Sequence, residues 1–369
     1  MHKSGTADLP LHGGHCPGWL FPRMKELGSA IAEAIVLEFG QKEFLERLSD
    51  PFFFQSLGCV LGFDWHSSGL TTTTLGALKE GLSDKAEETG LALCGGKGKA
   101  SRKTPDEIAQ AASIFGLSEK KTEELAYSSR MSAKVDSAAV QAGYQLYHHV
   151  FVLTERGDWC VIQQGLNPLN RYARRYHWLS SDVRSFVEEP QSAICSDARE
   201  EKVLNMVAAE SSECRRASVD ALDDLPSLVV ASKAIKEKLP SVECTHLWMP
   251  PHHDIRELSE RTIGTLEKVK EINPQSYEEL LSQRGVGPAA VRALALVAEV
   301  IYGSAPSWKD PAKFSFAHGG KDGFPFPVDR KSYDRSTETL RTAIDNAKVG
   351  QKEKLRAFAR LSAFVHAGS

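Results

Sequence analysis

The chain of 369 residues has little that could build a disulfide framework or a zinc ribbon. Its seven cysteines, at 16, 59, 94, 160, 195, 214 and 244, are scattered and odd in number, and none forms a CxxC pair. This pattern suits a reducing compartment. An excess of one charge is also missing: 45 Lys and Arg against 48 Asp and Glu leave a net charge of −3. A protein-wide electrostatic clamp on DNA is thereby excluded, so any nucleic-acid surface must be local. The apolar stretch from Phe52 to Phe63 is too short to span a bilayer, and the N-terminus lacks the long apolar core of a signal peptide. These absences predict a cytoplasmic protein with no membrane partner. Hydrophobic content of 41% and charged content of 25% are ordinary for a globular chain, and the length allows two or three domains.

What is present is most concentrated at residues 276–303, SYEELLSQRGVGPAAVRALALVAEVIYG. Tyr277, Leu280 and Leu281 mark one side of a first helix that stops at Gln283-Arg284. The turn is Gly285-Val286-Gly287, Pro288 opens a second helix, and apolar residues recur at Val291, Leu294, Val297 and Ile301. Glycine at both ends of the turn permits positive φ and a close approach to a ligand. The unpaired N–H groups of the second helix then face that ligand, and an anion fits there. The pattern resembles the helix-hairpin-helix of DNA repair proteins, where the anion is a DNA phosphate held without reading sequence. That resemblance implies contacts from Arg284, Gly285, Val286, Gly287 and Ala289. RNA phosphate would be held in the same way, and an ordinary αα-hairpin with a glycine turn shares part of the pattern.

Along the rest of the chain, spacing predicts a helix from Leu20 through Ile35 and another over 42–48, broken by Asp50-Pro51. A further helix is expected from about Thr72. Residues 94–104 read as a basic loop carrying Lys97, Lys99, Arg102 and Lys103, and two helical stretches lead to Val135. Asp136 reads as the N-cap of a helix through Val140, Tyr144 and Tyr147. HHVFVL and WCVIQQG, separated by Glu155-Arg156-Gly157-Asp158, read as a β-hairpin. Beyond Asp197 the chain reads as helical, including 198–217, 227–238 and 254–271, with a connection around 240–254. The expected fold class is α+β: a mixed α/β domain at 1–190 whose sheet contains the β-hairpin, then an all-helical domain at 195–369 with a helix-hairpin-helix.

Several strings together resemble one family, DUF763. They are SGTADLPLHGG, GCVLGFDWHSSGLTTTTLGALKEGL, RMSAKVDSAAVQAGYQLYHHVF, GDWCVIQQGLN with ARRYHWLS, and FAHGGKDGFPFPVDRKSYDRSTETL. The resemblance covers nearly the whole chain. It implies a prokaryotic family and carries no agreed chemistry, so function must come from the residues.

Ionisable residues gather in apolar contexts. His12 and His15 lie in a glycine-rich opening, and Asp64 and His66 bracket Trp65 after an apolar run. At i and i+2 of an extended segment the two share a face, where they could bind a divalent metal or act as a base and its orienter. They could equally cap a turn and fill a structural role. Lys134, Asp136, His148, His149, Gln163 and Gln164 surround the predicted hairpin, in outline like nucleases whose sheets present metal ligands to phosphate. The usual D…ExK pairing is absent, and an ordinary hydrogen-bonded interior is the competing explanation. Arg171, Tyr172, Arg174, Arg175, Tyr176, His177 and Trp178 combine charge with aromatic faces suited to DNA, or else form an amphipathic helix with solvated arginines. Pro327-Val328-Asp329 resembles the PVD aspartate of helix-hairpin-helix DNA glycosylases, which supports departure of a flipped base. Two departures weaken that parallel. The stretch from Gly287 to Asp329 is about twice as long as expected, and Ala289 stands where bifunctional members keep a lysine. His318 lies within this long insert. His252, His253 and Asp254 read as a loop and cap, with a metal site as the alternative.

Together these features predict a DNA-binding protein of the repair or processing type that cuts phosphodiester bonds with Mg²⁺ or Mn²⁺. The expected metal ligands are Asp64, His66 and Asp136. Base excision at Asp329 and a non-enzymatic DNA scaffold are the alternatives, and homo-oligomers are allowed.

Overall fold

The computed structural model describes residues 16, 18–63, 69–169, 172–196, 199–223, 225–226, 259–313 and 330–367. The first helices follow directly from local signals. In α1 (Leu20–Phe39) the residues Leu20, Met24, Leu27, Ile31 and Ile35 are all buried, as their helical spacing requires. After α2 (Gln41–Ser49), Asp50 caps α3 (Pro51–Leu61) by accepting from the N–H groups of Phe52 at 2.8 Å and Phe53 at 3.0 Å. Pro51 occupies the first helical turn, where a missing N–H costs nothing. The helix α4 (Gly69–Leu82) and the single turn α5 (Ala86–Thr89) lead into β1 (Leu91–Lys97). The basic stretch expected as a loop therefore begins as a strand and continues as a 3₁₀ turn over Gly98–Lys103.

Next come α6 (Thr104–Ile114) and α7 (Glu119–Lys134), then a π-helical turn at Val135–Ala139. Asp136 lies within that turn and caps no following helix, because the chain extends at once into β2 (Val140–Gln141) and β3 (Gln145–Thr154). The predicted β-hairpin is present as β3 and β4 (Trp159–Leu166). It belongs to an antiparallel five-stranded sheet in the order β1-β3-β4-β5-β6, with β5 at Ala173–Leu179 and β6 at Ala193–Ser196. A second ladder joins β2 to β7 (Leu204–Asn205), so the region from 198 to 217 is not one helix.

The later helices are α8 (Ser212–Asp220), α9 (Glu260–Ile272), α10 (Tyr277–Ser282), α11 (Pro288–Tyr302), α12 (Arg330–Asn346) and α13 (Gln351–Ala367). The fold class is α+β, as expected. The division near residue 190 is not a division between cores. One sheet face, with Val150, Val152 and Ile162, packs against α1 to α4, and Leu340 and Ile344 of α12 join the same cluster. The other face, with Phe151, Val161 and Trp178, shares a cluster with Leu125, Met131, Val291 and Leu294. Each core thus mixes residues from both halves of the chain, because the sheet is covered on both sides. The opening to His15, Asp64, His66, Arg171, 227–258 and 314–329 lie outside the described residues.

Candidate nucleic-acid interface

The α10–α11 unit is built from strong local signals. Ser276 caps α10 by accepting from the N–H of Glu279 at 3.1 Å, while the Glu279 carboxylate accepts from the N–H of Gln275 at 2.7 Å. Tyr277, Leu280 and Leu281 are buried together with Val291, Leu294 and Val297 of α11, whereas Ile301 is about half exposed at 49%. Val286 plugs the turn into the core at 1% exposure. Around it Arg284, Gly285, Pro288 and Ala289 are exposed.

The two turn glycines differ in kind. Gly285 has φ of +94°, and a Cβ there would sit 2.9 Å from Thr265 Cγ2 on α9. Gly287 has φ of −125°, an ordinary extended value, and the nearest atom to an added Cβ is the Gly285 carbonyl oxygen at 3.9 Å. Only Gly285 therefore uses the left-handed freedom expected of both. Three side chains mount the turn on the rest of the protein. Lys134 donates to the Gln283 carbonyl, Gln141 Nε2 donates to the Pro288 carbonyl at 3.0 Å, and Arg292 donates to Gln141 Oε1 at 2.7 Å. Burial pulls the Lys134 ammonium down to about 8. The first turn of α11 is thus fixed from behind while its N-terminus faces outward.

Of the residues expected at a metal-dependent centre, Asp136, His148, His149 and Gln163 are described, and Asp64 and His66 are not. His148 and His149 are neighbours on β3 and point to opposite sheet faces. On one face, Ser129 Oγ lies 2.9 Å from His149 Nε2, and His149 Nδ1 lies 2.8 Å from Gln163 Oε1. Gln163 Nε2 donates to Asp136, which also accepts from Trp178 Nε1 at 2.8 Å and Gln191 Nε2 at 2.6 Å. This chain fixes His149 as the neutral tautomer that donates from Nδ1 and accepts from Ser129. Burial pushes the Asp136 carboxyl up to about 7 against the pull of its three donors, and burial pushes the His149 imidazole down. Both Asp136 oxygens are occupied by protein donors and the residue is fully buried, so its expected role as a metal ligand is corrected to an interior hydrogen-bond hub. Among the described residues, no group of three His, Cys, Asp or Glu is arranged to hold a metal.

On the other face His148, Gln164 and Arg175 align across paired strands. His148 is buried with no hydrogen-bond partner at either ring nitrogen among the described residues; burial first, then His149 and Lys97, push it down to about 3. Arg175 donates to His177 Nε2 at 2.8 Å, Gln55 Oε1 at 3.2 Å and Thr71 Oγ1 at 3.3 Å. Arg174 turns to the Asp136 side and forms a two-pronged ion pair with Asp310, at 3.0 and 2.6 Å, beneath the Tyr144 ring. The expected DNA-facing arginines 174 and 175 are therefore buried strand residues, each committed to interior partners. Sequence reasoning missed Ser129, Gln141, Gln191 and Asp310, whose partners are distant in the chain; only Gln141, within AAVQAGY, stood out as a polar residue in apolar surroundings.

The model of a family described as a protein of unknown function, DUF763, matches residues 5–328. The chain belongs to the DUF763 family. No curated protein and no solved structure matches it. In this DUF763 protein the sheet, its two polar clusters and the α10–α11 turn all fall inside the matched span, while α12 and α13 lie beyond it. Among the described residues of the DUF763 chain, no helix is long and apolar enough to cross a membrane.

Proposed function

We propose that this protein binds the sugar-phosphate backbone of nucleic acid through the turn between α10 and α11. The observation that carries this reading is the turn at the N-terminus of a 15-residue helix, where Arg284, Gly285, Pro288 and Ala289 are exposed, braced by Lys134 and Gln141. Early N–H groups of a helix have no intrahelical acceptor, and the helix dipole favours an anion there. Arg284 adds a formal positive charge beside them, and buried Val286 anchors the turn so that the donors need not be ordered on binding. Such contacts hold a backbone and are indifferent to base sequence.

Gly287→Ala is the most informative variant. An added methyl meets no close neighbour, so the fold should be unchanged, yet it covers part of the anion's approach. Fluorescence anisotropy on single-stranded, duplex and branched DNA and on RNA should show weakened binding for Gly287→Ala, with an unchanged melting temperature. Wild-type affinity for every one of these nucleic acids in both Gly287→Ala and Arg284→Ala would sink the reading. Phosphodiester hydrolysis is a further proposal resting on Asp64 and His66, since Asp136 is enclosed. Cleavage with Mg²⁺ or Mn²⁺ that stops in EDTA and in Asp64→Ala would support it. Intact bound DNA would favour a scaffold, and alkali-labile sites formed in EDTA would favour excision at Asp329.

A further inference from the structure

A cavity of about 400 Å³ opens where β6, β7 and the segment around Ser307–Lys313 meet. This size falls within the roughly 300–1,000 Å³ range of small-molecule sites. Ile194, Val207 and Pro311 give it apolar walls. Two of its lining residues each carry a polar atom that is buried without a partner among the described residues, Asn205 Oδ1 and Ser192 Oγ. Asn205 is 5% exposed, and its Nδ2 already donates to the Lys309 carbonyl at 3.4 Å. That bond fixes the amide so that the oxygen is the unsatisfied end. A third acceptor comes from Gln191, whose Nε2 is held by Asp136, leaving Oε1 unengaged in a residue that lines the cavity. Unpaired buried acceptors are costly, and a ligand presenting N–H groups satisfies them.

The surroundings narrow the ligand further. Glu210 is occupied by Lys309 at 2.6 Å and by Ser307 at 3.1 Å, while Lys313 is exposed at the lining. Acceptors within, apolar walls and the exposed Lys313 in the lining match a flat amino-bearing heterocycle attached to an anion. The cavity is also tied to the α10–α11 turn. Asn205 pairs with Val140, and the next residue, Gln141, bonds the Pro288 carbonyl. One strand spacing of ~5 Å, one Cα step of about 3.8 Å and a glutamine's reach put Asn205 within roughly 15 Å of the start of α11.

We propose that this cavity receives an amino-bearing nucleobase (adenine, cytosine or guanine) of an unpaired strand whose backbone lies at the α10–α11 turn. The choice of ligand rests on the nucleic-acid reading above. Exocyclic amines donate where uracil and thymine present carbonyl oxygens, so acceptor-lined walls discriminate against the latter. Single-stranded bases can be splayed into pockets and recognised on such edges.

The test uses the full chain and two kinds of probe. Calorimetric or NMR titration with AMP, CMP and UMP reads the cavity alone. AMP and CMP should bind at least about tenfold more tightly than UMP, a gap in line with loss of one buried hydrogen bond. Asn205→Leu should remove that preference, and Ser192→Val, a smaller change at a half-buried site, should reduce it if Asn205→Leu does not fold. Equal affinity for the three nucleotides, or a preference that survives a folded Asn205→Leu or Ser192→Val variant, overturns the proposal. Short oligonucleotides with and without bases separate the two readings. Equal binding of oligo-dA and its abasic counterpart refutes the cavity and spares the turn. Mononucleotide selectivity without any effect of Gly287→Ala or Arg284→Ala on oligonucleotide binding refutes the turn and spares the cavity.

Discussion

Strand β5 and the α10–α11 turn both carry arginines that look suited to phosphate, and the structure treats them in opposite ways. Arg174 is fully buried and pairs with Asp310, 136 residues later in the chain. Arg284 stands exposed on a turn whose other exposed members are glycine, proline and alanine. The difference lies in what surrounds the backbone. In the middle of a sheet covered on both sides, a strand residue points into one core or the other and needs an interior partner. A tight turn at a helix start leaves the same side chain in water. Basic character alone therefore does not distinguish a binding surface from an internal ion pair.

The largest expected effect follows from breaking the internal pair. Arg174→Ala leaves the Asp310 carboxylate buried without its counter-charge, held only by the N–H groups of Glu200 and Ala312, and should cost about 3–5 kcal/mol in urea unfolding. It should leave the salt dependence of nucleic-acid binding untouched wherever the protein remains folded. A stability loss below about 1 kcal/mol would mean that Asp310 is relieved by water.

Asp136 comes next. Asp136→Ala strands the donors of Gln163, Trp178 and Gln191 and should cost about 3 kcal/mol. The pH dependence has a definite sign. The Asp136 carboxyl is raised from 3.8 to about 7, so its stability contribution is full below about 3.8 and is lost as pH rises through 7. His148 is lowered from 6.5 to about 3, so its contribution is full above 6.5 and is lost as pH falls toward 3. His149 and His177, also pushed down by burial, act in the same sense as His148. Asp136→Asn, in which Gln191 can turn its amide to accept, should therefore lose stability more steeply than wild type between pH 7 and 4. Parallel pH profiles would show that Asp136 stays ionised in the fold.

At the turn the effects are smaller and separable. Gly285→Val combines positive φ with a collision at Thr265 and should cost about 1–3 kcal/mol while weakening binding. Arg284→Ala should change stability by less than about 0.5 kcal/mol, yet reduce the slope of log K against log salt by about 1. If Arg284→Ala instead destabilised the fold, the contrast with Arg174 would collapse.

The helices α1 and α2, the β3–β4 hairpin and the α10–α11 pair were legible because short-range signals specify them: helical spacing, the break at Asp50-Pro51, the Gly157 turn and the Gly285-Val286-Gly287-Pro288 turn. Strand β5 was not, because ARRYHWL is buried on both faces and shows no alternation of polar with apolar residues. Its arginines are explained by Asp310, Gln55 and Thr71, none of which is near in sequence. Asp136 misled for a similar reason: an aspartate after a helical stretch looks like a cap until three donors from elsewhere enclose it. The exposed turn was readable as a local object, whereas the Asn205 cavity depends on a two-residue ladder that periodicity cannot register.

The core shared by α1, α3 and α12 has a bearing on how the chain is made. Met24, Ile31 and Phe53 emerge from the ribosome some 300 residues before Leu340 and Ile344, with which they share a cluster, at about 5–20 residues per second. For that interval, on the order of tens of seconds, the amino-terminal helices must wait with part of their apolar surface uncovered. A nascent chain stalled before residue 330 should therefore be a better client for chaperones than the finished protein.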